Sequence, residues 1–277
     1  MRTVRSAGEL RALLLGEQGT VFVPTMGNLH RGHIALVRRA RELGGPVVAS
    51  VFVNRLQFGA GEDFDRYPRT LDDDAHALAE AGCDILFAPD EGVIYPTPQT
   101  VVVQAPPEAD QLCGAHRPGH FGGVLTVVCK LFNLVQPAVA VFGEKDFQQL
   151  WLIRRMVEQL AMPVRIVPHP TERDADGLAL SSRNGYLSPA ERTQAPQLYE
   201  ALCDVRDALQ AGGCAATATG AASDGLARAG WQVDYIAVRD AMTLREPGPA
   251  TREWVVLGAA RLGTTRLIDN LSFGATQ

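Results

Sequence analysis

The sequence predicts an α/β fold: a doubly wound parallel sheet in an N-terminal domain, followed by a smaller α+β C-terminal domain. Three observations carry this. Between residues 21 and 167, short runs rich in β-branched residues alternate with stretches whose apolar residues recur at helical spacing. Near Pro170 the composition shifts, and two helical patterns are then followed by three strand-like runs with no helix between them. The first of the early apolar runs also opens through a glycine-bearing turn straight into a helix, an arrangement that doubly wound sheets use for ligands. The expected domains are residues 1–170 and 171–277.

In chain order, Ser6 and Glu9 form a capping-box pattern that opens a short helix through Leu15. Val21–Val23 is a strand, which Pro24 should end because it has no N–H to donate. Gly27 and Gly32 permit a sharp turn, and a helix runs from His33 until Gly44 and Gly45 stop it. Strands follow at 47–53, 83–87, 101–103, 139–142 and 164–167, with helices at 72–81, 124–135 and 147–160. Beyond Pro170, helices are expected at 189–209 and 217–229, and strands at 232–238, 253–257 and 266–268.

Bulk properties narrow the function. A net charge of −5 supplies no general basic field, which disfavours nucleic-acid binding. No run approaches the roughly 18 apolar residues of a membrane span, and the N-terminus lacks an apolar signal core. The five cysteines are odd in number and show no C-x-x-C spacing, as expected of reduced thiols in a cytoplasmic protein without structural zinc.

The stretch 21–43, VFVPTMGNLHRGHIALVRRAREL, concentrates the candidate chemistry. Unpaired amides at a helix N-terminus favour phosphate, and His30 and His33, three apart, can face one group. Uncharged they hydrogen-bond; protonated they stabilise charge growing on a phosphoryl group. The plainer reading is a pair of capping or surface histidines. Downstream, Asn54 and Gln57 in FVNRLQF can donate and accept at once, which suits a hydroxy acid; by themselves they read more simply as turn amides of a polar loop. Asp72, Asp73 and Asp74 either complement a helix dipole or meet Mg²⁺. His116, Arg117 and His120 are contacts for a carboxylate or belong to a plain loop. In GEKDFQQL, Lys145 can neutralise phosphate and Asp146 can accept ribose hydroxyls; a turn with a surface ion pair is the alternative. Ser181, Ser182 and Arg183 form either a phosphate clamp or an ordinary Ser-rich turn.

Taken together and in order, these motifs resemble the pantoate–β-alanine ligase family over essentially the whole chain. PTMGNLHRGHIAL resembles its first motif, and His30-Arg31-Gly32-His33 its form of the HIGH motif shared with class I aminoacyl-tRNA synthetases and related nucleotidyltransferases. The resemblance implies a Rossmann-like ATP- and pantoate-binding domain and a C-terminal lid. It implies ATP contacts from Met26, Gly27, Asn28, Leu29, His30, Arg31, Gly32, His33, Gly143, Glu144, Lys145, Asp146, Glu172, Leu180, Ser181, Ser182 and Arg183. Pantoate and β-alanine fall to Gln57, Gln149 and Asn54, with Arg117 beside the pantoate pocket. His33, His30, Lys145 and Arg183 are the implied catalytic groups. Arg55 and Glu172 stand where the family commonly has proline and a small apolar residue. The implied reaction is ATP- and Mg²⁺-dependent condensation of pantoate with β-alanine through an acyl adenylate, in a homodimer. The metal ligands stay open. Two rivals are a nucleotidyltransferase of the same fold that adenylates a phosphate, and a nucleotide-binding regulator without turnover.

Overall fold

The computed structural model describes residues 1–59 and 61–274. The chain divides into two compact units. The first comprises Met1–Ala109, Arg117–Glu144 and Gln149–Pro170; the second comprises Asp110–His116, Lys145–Gln148 and the chain from Thr171 onward. The division at 170 therefore has two outliers, short segments that the second unit draws in. The Gln148 side chain accepts from Cys113 N–H at 3.1 Å and donates to the Gln111 carbonyl at 2.9 Å, and Asn270 Nδ2 donates to the Lys145 carbonyl at 2.8 Å.

The strands are β1 (Arg2–Val4), β2 (Val21–Thr25), β3 (Val47–Val51), β4 (Ile85–Phe87), β5 (Val139–Gly143) and β6 (Arg165–His169) in the first unit, and β7 (Gln232–Asp240), β8 (Glu253–Leu262) and β9 (Thr265–Gly274) in the second. The helices are α1 (Ala7–Leu14), α2 (Arg31–Glu42), α3 (Leu71–Glu80), α4 (Glu91–Ile94), α5 (Cys113–His116), α6 (His120–Val135), α7 (Phe147–Gln159), α8 (Pro189–Gln194), α9 (Gln197–Gln210) and α10 (Ala215–Arg228).

All six strands of the first unit are parallel, in the order β1-β4-β3-β2-β5-β6. The chain builds outward from β2 through β3 to β4, then returns to place β5 on the other side of β2. That reversal puts the switch point between β2 and β5, where the carboxyl ends of the strands leave a ligand crevice. Alternation along β2 divides the core: Val21 and Val23 join Val37, Ala40, Val47 and Leu78 on one face. On the other, Phe22 meets Phe132 of α6 edge-on, with ring centroids 6.3 Å apart.

Four expectations need correction. The short, polar β1 was not foreseen. Val101–Val103 is not a strand: Val101 and Val102 are exposed and the Val103 N–H is taken by Thr126 Oγ1, so the β-branched triplet has propensity but no ladder. Pro24 does not end β2. It sits opposite Ser50 of β3, while the pairing of β2 with β5 involves only Val21 and Phe22, so the missing N–H costs no ladder bond. The helix expected over 189–209 is two, because Pro196 cannot continue α8 and instead caps α9.

In the second unit, β7, β8 and β9 form an antiparallel sheet. Leu198, Leu202 and Val205 of α9 and Leu226 of α10 pack with Val238, Val256 and Ala260 to make its own core. A partly buried ion pair ties the chain entering this unit to the sheet. Arg173 donates to both Asp269 oxygens at 2.6 and 2.8 Å, and its guanidinium stacks 3.8 Å over the Tyr199 ring.

One glycine is demanded by contact rather than by conformation. A Cβ at Gly123 of α6 would run into the backbone of Leu56 and Gln57. Gly123→Ala should therefore cost about 1–3 kcal/mol, the usual penalty of overpacking, and would loosen the turn that carries Gln57. Urea denaturation checks this; a midpoint equal to the parent's would show that the helix yields without penalty.

Candidate active site

The loop from Met26 to His30 leaves the carboxyl end of β2 and enters α2. Gly27 and Asn28 both have positive φ, +81° and +50°, and these two residues make the turn. Gly32, expected to help, lies in the first turn of α2. His30 is the N-cap residue. Its Nδ1 accepts from the Gly32 N–H at 3.1 Å, and His33 Nδ1 accepts from the His30 N–H at 3.3 Å, so two histidines form a capping box. The rings stand 4.1 Å apart at 38°.

This overturns one expectation. The amides here are not left open for phosphate: Gly27 N–H donates to Thr25 Oγ1 at 3.3 Å, and the N–H groups of Asn28 and Leu29 donate to Asp74 Oδ2 and Oδ1 at 3.0 and 2.8 Å. Those of His30 and Gly32 go to the imidazoles. What the junction gains instead is a fixed tautomer. An Nδ1 that accepts must leave the proton of a neutral ring on Nε2, so each neutral ring carries its one N–H there. Both readings of the pair, caps and anion contacts, are thus compatible in one geometry.

The loop after β3 holds Asn54 and Gln57. Asn54 is buried and its amide is fully used: Nδ2 donates to Gln57 Oε1 and to the Gly123 carbonyl, each at 3.1 Å, and Oδ1 accepts from Leu56 N–H at 3.3 Å and Tyr95 OH at 2.7 Å. Burial, then the charge of Glu91, pushes the Tyr95 phenol up to about 12, so it remains a donor. Asn54 therefore holds Gln57 and has no hydrogen bond left for a substrate, a correction to its expected role. Gln57 Nε2 also donates to Met26 Sδ at 2.9 Å, and its amide keeps one N–H and one lone pair beyond these bonds. Arg55 lies 4.2 Å over the Phe64 ring and 3.5 Å from Glu91, on the outer side of the turn.

Arg117 is not placed as an open carboxylate contact. It forks onto Glu62 at 2.7 and 2.6 Å. His120 Nδ1 donates to the Gln57 carbonyl at 2.7 Å and Nε2 accepts from Arg117 Nη1 at 2.9 Å. Glu62, Arg117 and His120 thus brace the backbone of Gln57 from behind. His116, grouped with them by sequence, belongs to the second unit and lies 3.9 Å from Asp234.

In the first unit Gly143 and Glu144 stand at the carboxyl end of β5, across the switch point from the 26–30 loop, and Gln149 is half-buried in α7. Lys145 and Asp146 fall to the second unit. Lys145 Nζ is 4.0 Å from Asp146 Oδ2, the outer limit of an ion pair. Glu172 is exposed and its carbonyl accepts from Leu180 N–H at 2.9 Å, so a carboxylate is tolerated there without burial. Ser181 caps a single turn over Ser182–Tyr186, its Oγ accepting from the Arg183 N–H at 3.2 Å. Lys145, Ser181, Asn184, Tyr199 and Asp269 line one small pocket of this unit. Among the described residues no group of three or more His, Cys, Asp or Glu side chains is placed to hold a metal ion, and none of the helices is long and apolar enough to cross a membrane. Sequence reasoning missed the roles of Asp74, Glu62 and Gln148; only their charge or amide was visible, not the distant partner.

A doubly wound sheet with two capping histidines and a braced glutamine beyond its strand ends places the chain among α/β proteins that bind ligands at a switch point. The comparisons narrow this further. The family described as Pantoate-beta-alanine ligase matches residues 2–272, and the chain belongs to it. Pantothenate synthetases from Thiobacillus denitrificans and Chromobacterium violaceum are 58% and 55% identical to it, covering 98% of this chain and 96% and 99% of theirs. Pantothenate synthetase from Thermus thermophilus superposes with a TM-score of 0.93 at 51% identity, over 98% of this chain and 99% of that one. A pantoate-beta-alanine ligase from Francisella tularensis, solved with β,γ-ATP and β-alanine, gives 0.83 at 32%, over 98% and 97%.

The brace behind Gln57 makes a pH prediction. Burial raises the Glu62 carboxyl, but the hydrogen bonds and charge of Arg117 outweigh it and hold the group below its ordinary 4.5. Its contribution is therefore fully present above 4.5 and lost as pH falls through the lower, folded value. Glu62→Gln should denature at lower urea than the parent at neutral pH, and the gap should close on acidification. A gap that stays constant down to about pH 3 contradicts the pairing.

Proposed function

We propose that His30, His33, Lys145, Ser182 and Arg183 attend the phosphates of ATP, and that Gln57 and Gln149 hold the acid, in a ligase that joins pantoate to β-alanine. The observation that carries this is the β2–α2 junction, where two imidazoles tilted at 38° with centroids 4.1 Å apart are held through their Nδ1 atoms at the carboxyl end of a switch-point strand. Full-length similarity to pantothenate synthetases supports the choice of substrates.

The reaction has two steps. A pantoate carboxylate oxygen attacks the α-phosphorus, the bond to the pyrophosphate oxygen breaks, and pantoyl adenylate forms. The amine of β-alanine then attacks the acyl carbon, the bond to AMP breaks, and the amine loses its proton. In the first step charge grows on phosphoryl oxygens, so positioned donors do most of the work. The histidine Nε2–H groups supply neutral, fixed donors, and Lys145 and Arg183 supply positive charge. Mg²⁺ would travel on the nucleotide phosphates, where a hard cation keeps oxygen ligands and water. The Gly143–Asp146 turn is assigned to ribose and phosphates, and Met26–Gly32 with Glu172 and Leu180 to the rest of the nucleotide. The N-terminal domain is the substrate platform, and the C-terminal domain, with its Ser181–Arg183 turn, the lid that keeps water from the adenylate. A cytoplasmic homodimer completes this reading.

AMP release from ATP should require both pantoate and β-alanine; release without the amine would favour a nucleotidyltransferase, and no AMP at all a regulator. His33→Ala should slow single-turnover pyrophosphate release by roughly two or more powers of ten, the scale of a lost transition-state donor. A rate near the parent's would remove His33 from the phosphates.

A further inference from the structure

The consecutive positive φ angles of Gly27 and Asn28 turn the N–H groups of Asn28 and Leu29 the same way. Such a pair makes a concavity that binds an anion. Here the anion belongs to the chain: both oxygens of Asp74 accept from it, one from each amide. Asp74 is 2% exposed, whereas Asp72 and Asp73 beside it are exposed. Its place is fixed by α3, whose Leu78 is buried in the core shared with β2 and α2. A Cβ at Gly27 would stand 2.9 Å from Asp74 Oδ2 and 3.0 Å from Val51 Cγ1, so the carboxylate in this position leaves no room for a side chain there.

We infer that Asp74 is a positioning residue for adenylation. Its carboxylate fills the Asn28–Leu29 amide nest and so fixes His30 at the N-cap of α2, where the two imidazoles keep the Nε2–H tautomer. This rests on the assignment of His30 and His33 to the phosphates. Filling the nest has a second effect. Two open amides next to the histidines would offer phosphate an alternative seat; an internal carboxylate closes it. An asparagine has the same shape but accepts with only one atom, leaving its N–H₂ against a loop N–H.

Asp74→Asn should keep the far-UV spectrum and a cooperative melt. It should lower kcat for pyrophosphate release about 100-fold, the cost associated with roughly 1 Å of misplacement, while aminolysis of added pantoyl adenylate by β-alanine stays near the parent rate. Ring ¹⁵N shifts of His30 and His33 should leave the Nε2–H pattern. Gly27→Ala displaces the same carboxylate and should give the same profile, with the double variant little worse than either. A folded Asp74→Asn enzyme with parent kcat, or additive losses in the double variant, overturns the proposal. Should neither variant fold, hydrogen exchange in the parent decides: protected Asn28 and Leu29 amides support the filled nest, and rapid exchange refutes it. If His33→Ala leaves adenylation intact, the phosphate assignment fails, while the tautomer and exchange readouts still judge Asp74 independently.

Discussion

A chain that leaves a buried parallel strand and turns at once into a helix has more N–H donors than its own backbone can satisfy. Much of the first unit answers that constraint. Five donors between Gly27 and Gly32 are met by Thr25 Oγ1, by the two Asp74 oxygens and by the two histidine Nδ1 atoms. Each acceptor is a side chain held elsewhere. Thr25 also donates to the Ser50 carbonyl of β3, Asp74 rides on α3, and the histidines are part of α2 and its cap. The junction is therefore fixed by three core elements together, and rigid geometry at that point is what a site built on positioning needs.

The same logic recurs one strand over. Gln57 sits on a turn that α6 touches backbone to backbone, possible only because residue 123 has no side chain. Asn54 spends its hydrogen bonds tying that turn to Gly123 of α6 and to Tyr95, and the Glu62–Arg117–His120 chain takes the Gln57 carbonyl. The half-buried charges of Glu62 and Arg117 are paired and hydrogen-bonded, which offsets their partial desolvation. The Gln57 amide keeps one N–H and one lone pair beyond these bonds, and Asn54, Glu62, Arg117 and His120 together hold it in place.

These particulars explain what could be read from the sequence. The strand–turn–helix at 21–43, the parallel class of the sheet and the order of motifs were legible, because each depends on local periodicity or on residues within a few positions of one another. The histidine capping box was legible in principle: its spacing of three is that of any capping box, with imidazoles in place of Ser and Glu. Asp74 was not, since its partners lie 45 and 46 positions away and nothing local distinguishes it from Asp72. Arg117 as a carboxylate contact fell for the same reason, whereas Asn54 read from its own residues is the turn amide that the structure shows. A polar residue near a site looks like a ligand contact until its internal partners are known, and most polar groups in a buried shell are spent on the shell. Val101–Val103 failed differently, on propensity without a partner strand.

The satisfied junction also bears on which charge state the histidines bring to the chemistry. An imidazolium has no acceptor, so protonating either ring at Nδ1 would break a capping bond and set two N–H groups against each other. The two capping bonds are therefore made only by rings whose Nδ1 carries no proton. For adenylation this is the more useful state. Both the attacking carboxylate and ATP are anions that must approach one another, and on the proposed assignment a fixed pair of neutral donors would stabilise charge that grows on the phosphoryl oxygens without holding the ground-state phosphates too tightly. On the proposed assignment, full charges are left to Lys145 and Arg183, which bind nucleotide, and the histidines discriminate in favour of the transition state. The capping role and the catalytic role are then one arrangement, since the bond that closes the helix is also the bond that sets the donor.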